Sequence, residues 1–366
     1  MNPELYRTPH RKDGIPVKVG LVGLPNVGKS SLFNLLTGAG ARVDLFPFTT
    51  IEKNVGIVAV PDERLKRIAE VIKPKKVTPA HIEFVDIAGL VKGASSGEGL
   101  GNRFLAHIRE VDLLLHLVRN FSTPDIPHIL DSIDPDRDME IVESELAIAD
   151  LTVVEKRLAS AVKEPESPHK HHLISALKKL DAALQRSFQP PDLTPEEKHT
   201  VRDLSLFVLK PVLYVLNCSD AEPADINHFP KLARRQPILF SALLEQVLAD
   251  LPETDRREMR LSLNLHPEGP GAIVSACFTT LNLRRFYTVK GEETRAWSAP
   301  AGTTALDAAY MIHSDIGSGF IKAEVVNWQD LITAGSFLAA HNTGKVKIEG
   351  KSYLIQDGDV LLIRFK

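Results

Sequence analysis

Cysteine is almost absent from this 366-residue chain: Cys218 and Cys277 are the only two, too few for a disulfide framework or a cysteine metal cluster. A reducing interior is the expected compartment. Long apolar runs are missing as well. No stretch of 18 apolar residues occurs, and the leader MNPELYRTPHRKDG has no apolar segment of signal-peptide length. It carries Glu4 and Asp13, unlike a transit peptide, so a cytoplasmic protein with no membrane partner is expected. An excess of one charge is also lacking. A formal net charge of −3 gives no bulk attraction to nucleic acid, so any such partner must be read by a local patch. The length allows two or three domains, because single cores rarely exceed about 250 to 300 residues.

What is present begins with GLPNVGKS at Gly23 to Ser30, directly after the apolar stretch VKVGLV. Strand, Gly-x-x-x-x-Gly-Lys-Ser and helix in that order form a phosphate-binding loop. Gly23 and Gly28 let the backbone curl around a polyphosphate, so that the amides of Asn26, Val27, Gly28, Lys29, Ser30 and Ser31 can face the anion at the positive end of the following helix. Lys29 reaches the β- and γ-phosphates, and the Ser30 hydroxyl is placed to ligate Mg²⁺.

Residues 15–126 alternate strand and helix patterns (VKVGLVG, SLFNLLTG, IVAV, ERLKRIAEVI, HIEFVDIAG, NRFLAHIREV, LLLHLV). This predicts a mostly parallel sheet flanked by helices, with ligands at the carboxyl ends of the strands. Residues 127–206 read as helix without strands. Ala147, Leu151, Val154, Leu158 and Ala161 form one 4,3,4,3 stripe. Leu173, Leu177, Leu180 and Leu184 form another after the breaker EPESPHKHH. An inserted antiparallel helical hairpin is expected, with a further helix capped by Thr194, Pro195 and Glu197. His169, Lys170, His171 and His172 then fall in an exposed loop at the hairpin tip. The sheet resumes with KPVLYVLN in residues 207–283. Residues 284–366 carry short strand-like runs (FYTVKG, TRAWSAP, FIKAEVV, YLIQ, VLLIRF) and one helix near Thr304 to Ile312, a small α+β domain.

Further nucleotide motifs follow the loop. In FPFTTIEKNVG, Thr49 or Thr50 can supply a second hydroxyl to Mg²⁺. In EFVDIAGL, Asp86 can hold the metal through water while the Gly89 amide bonds the γ-phosphate and releases it after hydrolysis. The glycine-rich GLVKGASSGEGLG suggests a lid or a plain solvent loop. At 217 to 220 the strand end reads Asn-Cys-Ser-Asp. Asn217 and Asp220 fit a base-reading motif, whereas Cys218 stands where guanine readers carry a lysine. Ser241, Ala242 and Leu243 occupy the place where a backbone amide meets the base edge.

Together, GLPNVGKS, FPFTTIEKNVG, EFVDIAGLVKGASSGEGLGNRFL, NCSD, RAW at 295 to 297, IHSDIGSGFIKAEV and DGDV resemble the Obg-like ATPase (YchF) family of translation-factor-class P-loop NTPases, over nearly the whole chain after residue 15. The resemblance implies an α/β P-loop fold with an inserted helical hairpin and a C-terminal TGS domain of β-grasp type. It also implies ATP in preference to GTP, slow hydrolysis and association with the ribosome. It makes Thr50 the metal-sensing threonine. Leu90 stands where many GTPases keep a water-orienting glutamine, so another group must assist. Asn26 matches an asparagine that ligates K⁺ in related enzymes, and His116 matches a histidine proposed as catalytic. Asp220 departs from the family's usual glutamate and keeps GTP use open.

Two other readings stand beside the ATPase switch: a GTPase of the same architecture, and a regulator that binds nucleotide with negligible turnover. RNA contact by the last domain would rest on Arg284, Arg285, Lys345, Lys347 and Lys351, although its ten basic and nine acidic residues nearly balance. A monomer is expected.

Overall fold

The computed structural model describes residues 17–40, 55–86, 109–222 and 224–366. In chain order the strands are β1 (Val17–Val22), β2 (Val55–Ala59), β3 (Lys76–Thr78), β4 (His81–Asp86), β5 (Leu113–Asn120), β6 (Val212–Cys218), β7 (Ile238–Phe240), β8 (Leu283–Lys290), β9 (Glu293–Pro300), β10 (Phe320–Asn327), β11 (Lys347–Glu349) and β12 (Asp359–Phe365). The helices are α1 (Lys29–Gly40), α2 (Glu63–Ile72), α3 (Pro135–Ala161), α4 (Pro168–Leu184), α5 (Pro195–Val201), α6 (Pro230–Ala233), α7 (Ala242–Leu248), α8 (Glu253–Ser262), α9 (Pro270–Thr280), α10 (Ala305–Ile312), α11 (Ser314–Ser318), α12 (Trp328–Ala334) and α13 (Phe337–Asn342). None of them is long and apolar enough to cross a membrane. The chain forms two compact units, one built around residues 18–35 and 109–270, the other around 55–84 and 271–366.

In the first unit β1, β5, β6 and β7 lie side by side, all parallel. Residues Leu113 to Arg119 of β5 are all buried, as a parallel strand covered on both faces requires. Because the strands run the same way, the segments leaving β1, β5, β6 and β7 emerge at one edge of the sheet. The candidate site lies there.

Pro135 opens α3 behind the Asp134 cap, and Pro168 opens α4 behind Ser167, whose hydroxyl accepts from the Lys170 N–H. Both prolines stand where no intrahelical donor is lost. Ala147, Val154 and Ala161 are buried in α3, as are Leu173, Leu177, Leu180 and Leu184 in α4, so the two stripes face the interior. Asp150, fully buried, accepts from Arg109 Nη1 at 2.7 Å and from the Val208 N–H at 2.8 Å. Thr194 and Glu197 close the expected capping box on α5. The tip departs from expectation. His169 to His172 belong to the first turns of α4, and Lys170 is buried, its Nζ donating to Glu164 O and to Glu166 Oε1. An ammonium with two acceptors in reach can be withdrawn from water.

In the second unit the sheet order is β11-β10-β12-β8-β9-β3. The pairs β8–β9 and β10–β12 are antiparallel and β12–β8 is parallel, a β-grasp arrangement. Phe286, Trp297, Ala305, Ala309, Phe320, Ala323 and Ile363 pack in its core beneath α10. YLIQ, expected as a strand, makes only an isolated bridge at Leu354. There the Asp359 carboxylate accepts from the Tyr353 hydroxyl and the Gln356 N–H, which bends the chain. Helices α11 to α13 and strand β3 were not anticipated from the pattern, being at most two turns or three residues long and so too short to repeat a period clearly.

β3 joins this sheet by parallel pairing with β9, and the Thr78 hydroxyl donates to Glu293 at 2.5 Å. Asp62 caps α2 and also accepts from the Tyr287 hydroxyl at 2.8 Å, while Arg64 Nη1 donates to Asp357 at 2.7 Å. These bonds tie α2 and β3 to the C-terminal segment.

Candidate functional site

The turn after β1 is shaped by two glycines that tolerate no side chain. A Cβ on Gly23 would stand 2.5 Å from Leu117 O, and one on Gly28, at φ 97°, would stand 2.5 Å from Asn217 Nδ2. Between them Asn26 adopts φ 63°, a left-handed conformation that asparagine accepts more readily than most residues. Lys29 folds back over the loop and donates to Gly23 O at 3.1 Å and Leu24 O at 2.8 Å. Burial pushes its ammonium down to about 8, with the Asp86 carboxylate pulling the other way. Ser30 Oγ donates to Asp86 Oδ2 at 3.0 Å.

Pro25, Asn26, Gly28, Lys29, Ser30 and Ser31 form one end of a cavity of about 530 Å³. Asp86 lines it, and beyond the phosphate loop so do Phe121, Ser122, Thr123 and Ile126, then Asn217 to Asp220, and finally Ala242, Leu243 and Gln246. Of the residues expected at the site, eleven therefore share this one wall: Asn26, Gly28, Lys29, Ser30, Ser31, Asp86, Asn217, Cys218, Asp220, Ala242 and Leu243. The loops from the ends of four parallel strands converge here.

Val27 and Ser241 stand behind the wall, and Asn217, Cys218 and Ala242 make further contacts away from the cavity. Val27 offers its carbonyl to Asn217 Nδ2 at 3.0 Å, and Asn217 Oδ1 accepts the Ala242 N–H at 3.0 Å. Asn217, 3% exposed, thus clamps the phosphate loop to the start of α7. The Ala242 amide is engaged by that clamp in the ligand-free site. Ser241 is fully buried and caps α7 through the Leu244 N–H. Cys218 Sγ donates to Leu216 O, and burial pushes the thiol up to about 12, so it stays neutral.

His116 lies within β5, 2% exposed, its ring 5.3 Å from that of Tyr214 and absent from the cavity wall. Burial, assisted by the cations Lys29 and Arg235, pushes the imidazole down to about 3. The ring is thus neutral and packed under the sheet surface in the ligand-free site. Thr49, Thr50, Gly89, Leu90 and the glycine-rich segment after Asp86 lie outside the described residues.

Phe121, Ser122, Thr123, Ile126 and Gln246 were missed by sequence reasoning, as was the His128–Asp138 pair beside them, joined at 2.6 Å. One signal was available: RNF follows the β5 run directly, and strand carboxyl ends are where ligands bind in such sheets.

The site fits Mg²⁺ by its donor chemistry. The Ser30 hydroxyl and the Asp86 carboxylate converge as hard oxygen ligands, and Mg²⁺ characteristically takes one or two such groups together with substrate phosphates and water. No cluster of three or more His, Cys, Asp or Glu suited to a metal occurs among the described residues, so a metal held wholly by protein side chains has no counterpart there.

A family model described as a 50S ribosome-binding GTPase matches residues 18–156, and the YchF-GTPase C-terminal model, described as a protein of unknown function, matches residues 283–366. The chain is 40% identical over 360 residues to the ribosome-binding ATPase YchF of Bacillus subtilis (strain 168), covering 94% of this chain and 98% of the relative. It is 39% identical over 358 residues to that of Escherichia coli O157:H7, covering 95% and 99%. Among solved structures, the YchF GTPase of Schizosaccharomyces pombe superposes with a TM-score of 0.82 at 33% identity, covering 97% of this chain and all of that one.

Proposed function

The chain belongs to the YchF family of P-loop nucleotidases, and from that premise we propose that it is a Mg²⁺-dependent nucleoside triphosphatase, a slow ATPase switch that associates with the ribosome. The observation that carries the reading is the single cavity joining Lys29 and the Ser30–Asp86 pair at one end to Phe121, Cys218, Asp220 and Leu243 at the other. The first end suits a triphosphate and the second a base.

In use, Lys29 exchanges its two loop carbonyls for phosphate oxygens, and the incoming charge restores its proton affinity. Ser30 and Asp86 would hold Mg²⁺, which when bound would neutralise charge developing on the phosphate oxygens. Asn217 keeps the loop seated on the sheet while this happens. Asn26 donates its amide to Pro127 O at 3.2 Å, which leaves its side-chain oxygen for the proposed K⁺. Thr50 and Gly89 complete the proposed metal and γ-phosphate contacts. With Leu90 in place of a glutamine and His116 withdrawn, slow intrinsic turnover follows, because no side chain of this set orients water.

ATP preference draws support from the names of the bacterial relatives and from Cys218, whose short neutral thiol cannot cover a guanine as a lysine stem does. Asp220, exposed on the wall, is the feature that favours GTP. Side-by-side titration of non-hydrolysable ATP and GTP analogues with Mg²⁺ separates the two. Tighter ATP binding, with turnover abolished in Asp86→Asn, supports the proposal. Tighter GTP binding makes this a GTPase of the same architecture, and single-turnover rates at background with ribosomes and K⁺ present make it a binding regulator. The helical arm of residues 127–206 and the C-terminal domain of residues 284–366 are the proposed partner-facing parts, with ribosomal RNA as one contact.

A further inference from the structure

Arg119, the penultimate residue of β5, is 1% exposed, yet no carboxylate within ion-pair distance accompanies it among the described residues. Burying a cation without a counter-ion is costly unless its donors are satisfied. Here they are satisfied by backbone carbonyls alone. Nε donates to Phe121 O at 3.0 Å, Nη1 to Asn26 O at 3.2 Å and Pro127 O at 3.4 Å, and Nη2 to Ile126 O at 2.7 Å. The guanidinium carbon also lies 4.3 Å from the centre of the Phe121 ring.

The four acceptors belong to two different parts of the cavity. Asn26 is in the phosphate loop, whereas Phe121, Ile126 and Pro127 belong to the segment that follows β5, of which Phe121 and Ile126 line the cavity. A guanidinium presents five N–H groups in a fixed planar fork, so one rigid group sets the position of both parts at once. Among the described residues the other hydrogen bond between them is the exposed Asn26 amide on Pro127 O at 3.2 Å.

We infer that Arg119 is a positioning residue of the nucleotide site, coupling the phosphate loop to the Phe121–Ile126 wall so that a ligand spanning both is bound as a unit. It touches no ligand itself. This rests on the cavity taking a nucleoside triphosphate, with the nucleoside against that wall.

The test compares a non-hydrolysable ATP analogue with inorganic tripolyphosphate, both with Mg²⁺, in wild type, Arg119→Lys and Arg119→Gln. Lysine keeps the charge but is a point donor that cannot span the four carbonyls. Both variants are expected to lose about tenfold or more in affinity for the analogue and less than about twofold for tripolyphosphate, since misplacement of one wall penalises only the ligand that needs it. Equal losses on both ligands, as a merely structural role would give, or no loss on either, overturn the inference. In wild type, hydrogen exchange supplies a measurement independent of variant folding. Tripolyphosphate, which has no nucleoside, is expected to protect the amides of Ser122, Thr123, Asp125 and Ile126 through Arg119, and unchanged exchange there overturns the coupling. If the analogue does not outbind tripolyphosphate in wild type, it is the function reading that fails, and this is seen before any variant is made.

Discussion

Raising the pH should release the triphosphate through Lys29 alone. Its ammonium is 8% exposed and titrates at about 8 in the ligand-free site, against an ordinary 10.5. A bound polyphosphate replaces carbonyl dipoles with full negative charge and returns the pKa above the ordinary value. Only the ammonium form binds phosphate strongly, so apparent affinity scales with its population in the free protein. From pH 7.5 to pH 9.5 that population falls from about three quarters to about 3%, a loss of about 25-fold in affinity. The window begins above the last ionisation of the triphosphate, so the ligand's own charge is constant. The assay is equilibrium titration of a fluorescent non-hydrolysable analogue across this range, beside Lys29→Arg, which stays charged throughout. A wild-type affinity that stays flat, or one that falls in parallel with the arginine variant, refutes the reasoning. The same shift acts on the ligand-free fold with a definite sign. Between about 8 and 10.5 the unfolded chain holds the Lys29 proton and the folded one does not, so this group's contribution to folding stability rises with pH across that window, by about 3 kcal/mol at most.

Gly23→Ala would set a methyl group 2.5 Å from Leu117 O, forcing the phosphate loop off the sheet; nucleotide affinity is expected to fall at least about a hundredfold, and near-normal titration would refute the geometry of the turn. His116→Gln is expected to leave single-turnover hydrolysis per folded molecule within about twofold, because the imidazole packs under the sheet and touches no ligand; a loss of about a hundredfold would return it to the mechanism. Asp62→Ala removes a helix cap together with the acceptor of the Tyr287 hydroxyl, worth about 2 to 4 kcal/mol in all. Urea denaturation should report that loss, while analogue affinity stays within about twofold of wild type.

What the sequence determined by itself is local chemistry. Gly23, Gly28, Lys29 and Ser30 are legible because a phosphate loop is made by consecutive residues whose conformational freedom and charge are intrinsic. The stripes of α3 and α4 and the box of Thr194 and Glu197 are legible for the same reason, since helix periodicity and capping span only a few residues. Asp86, Asn217 and Asp220 could be named because each ends an apolar run, although nothing in the run says which loops meet. Tertiary structure alone decided the rest. It engaged the Ala242 amide in the Asn217 clamp, set His116 in mid-strand, joined β3 to the C-terminal sheet, and laid Phe121 and Ile126 beside the phosphate loop. Those outcomes depend on hydrogen bonds between residues far apart in the chain. Arg119 is the clearest case: in sequence it is one more arginine after an apolar strand, and only the fold brings Asn26 O and Ile126 O within reach of the same guanidinium.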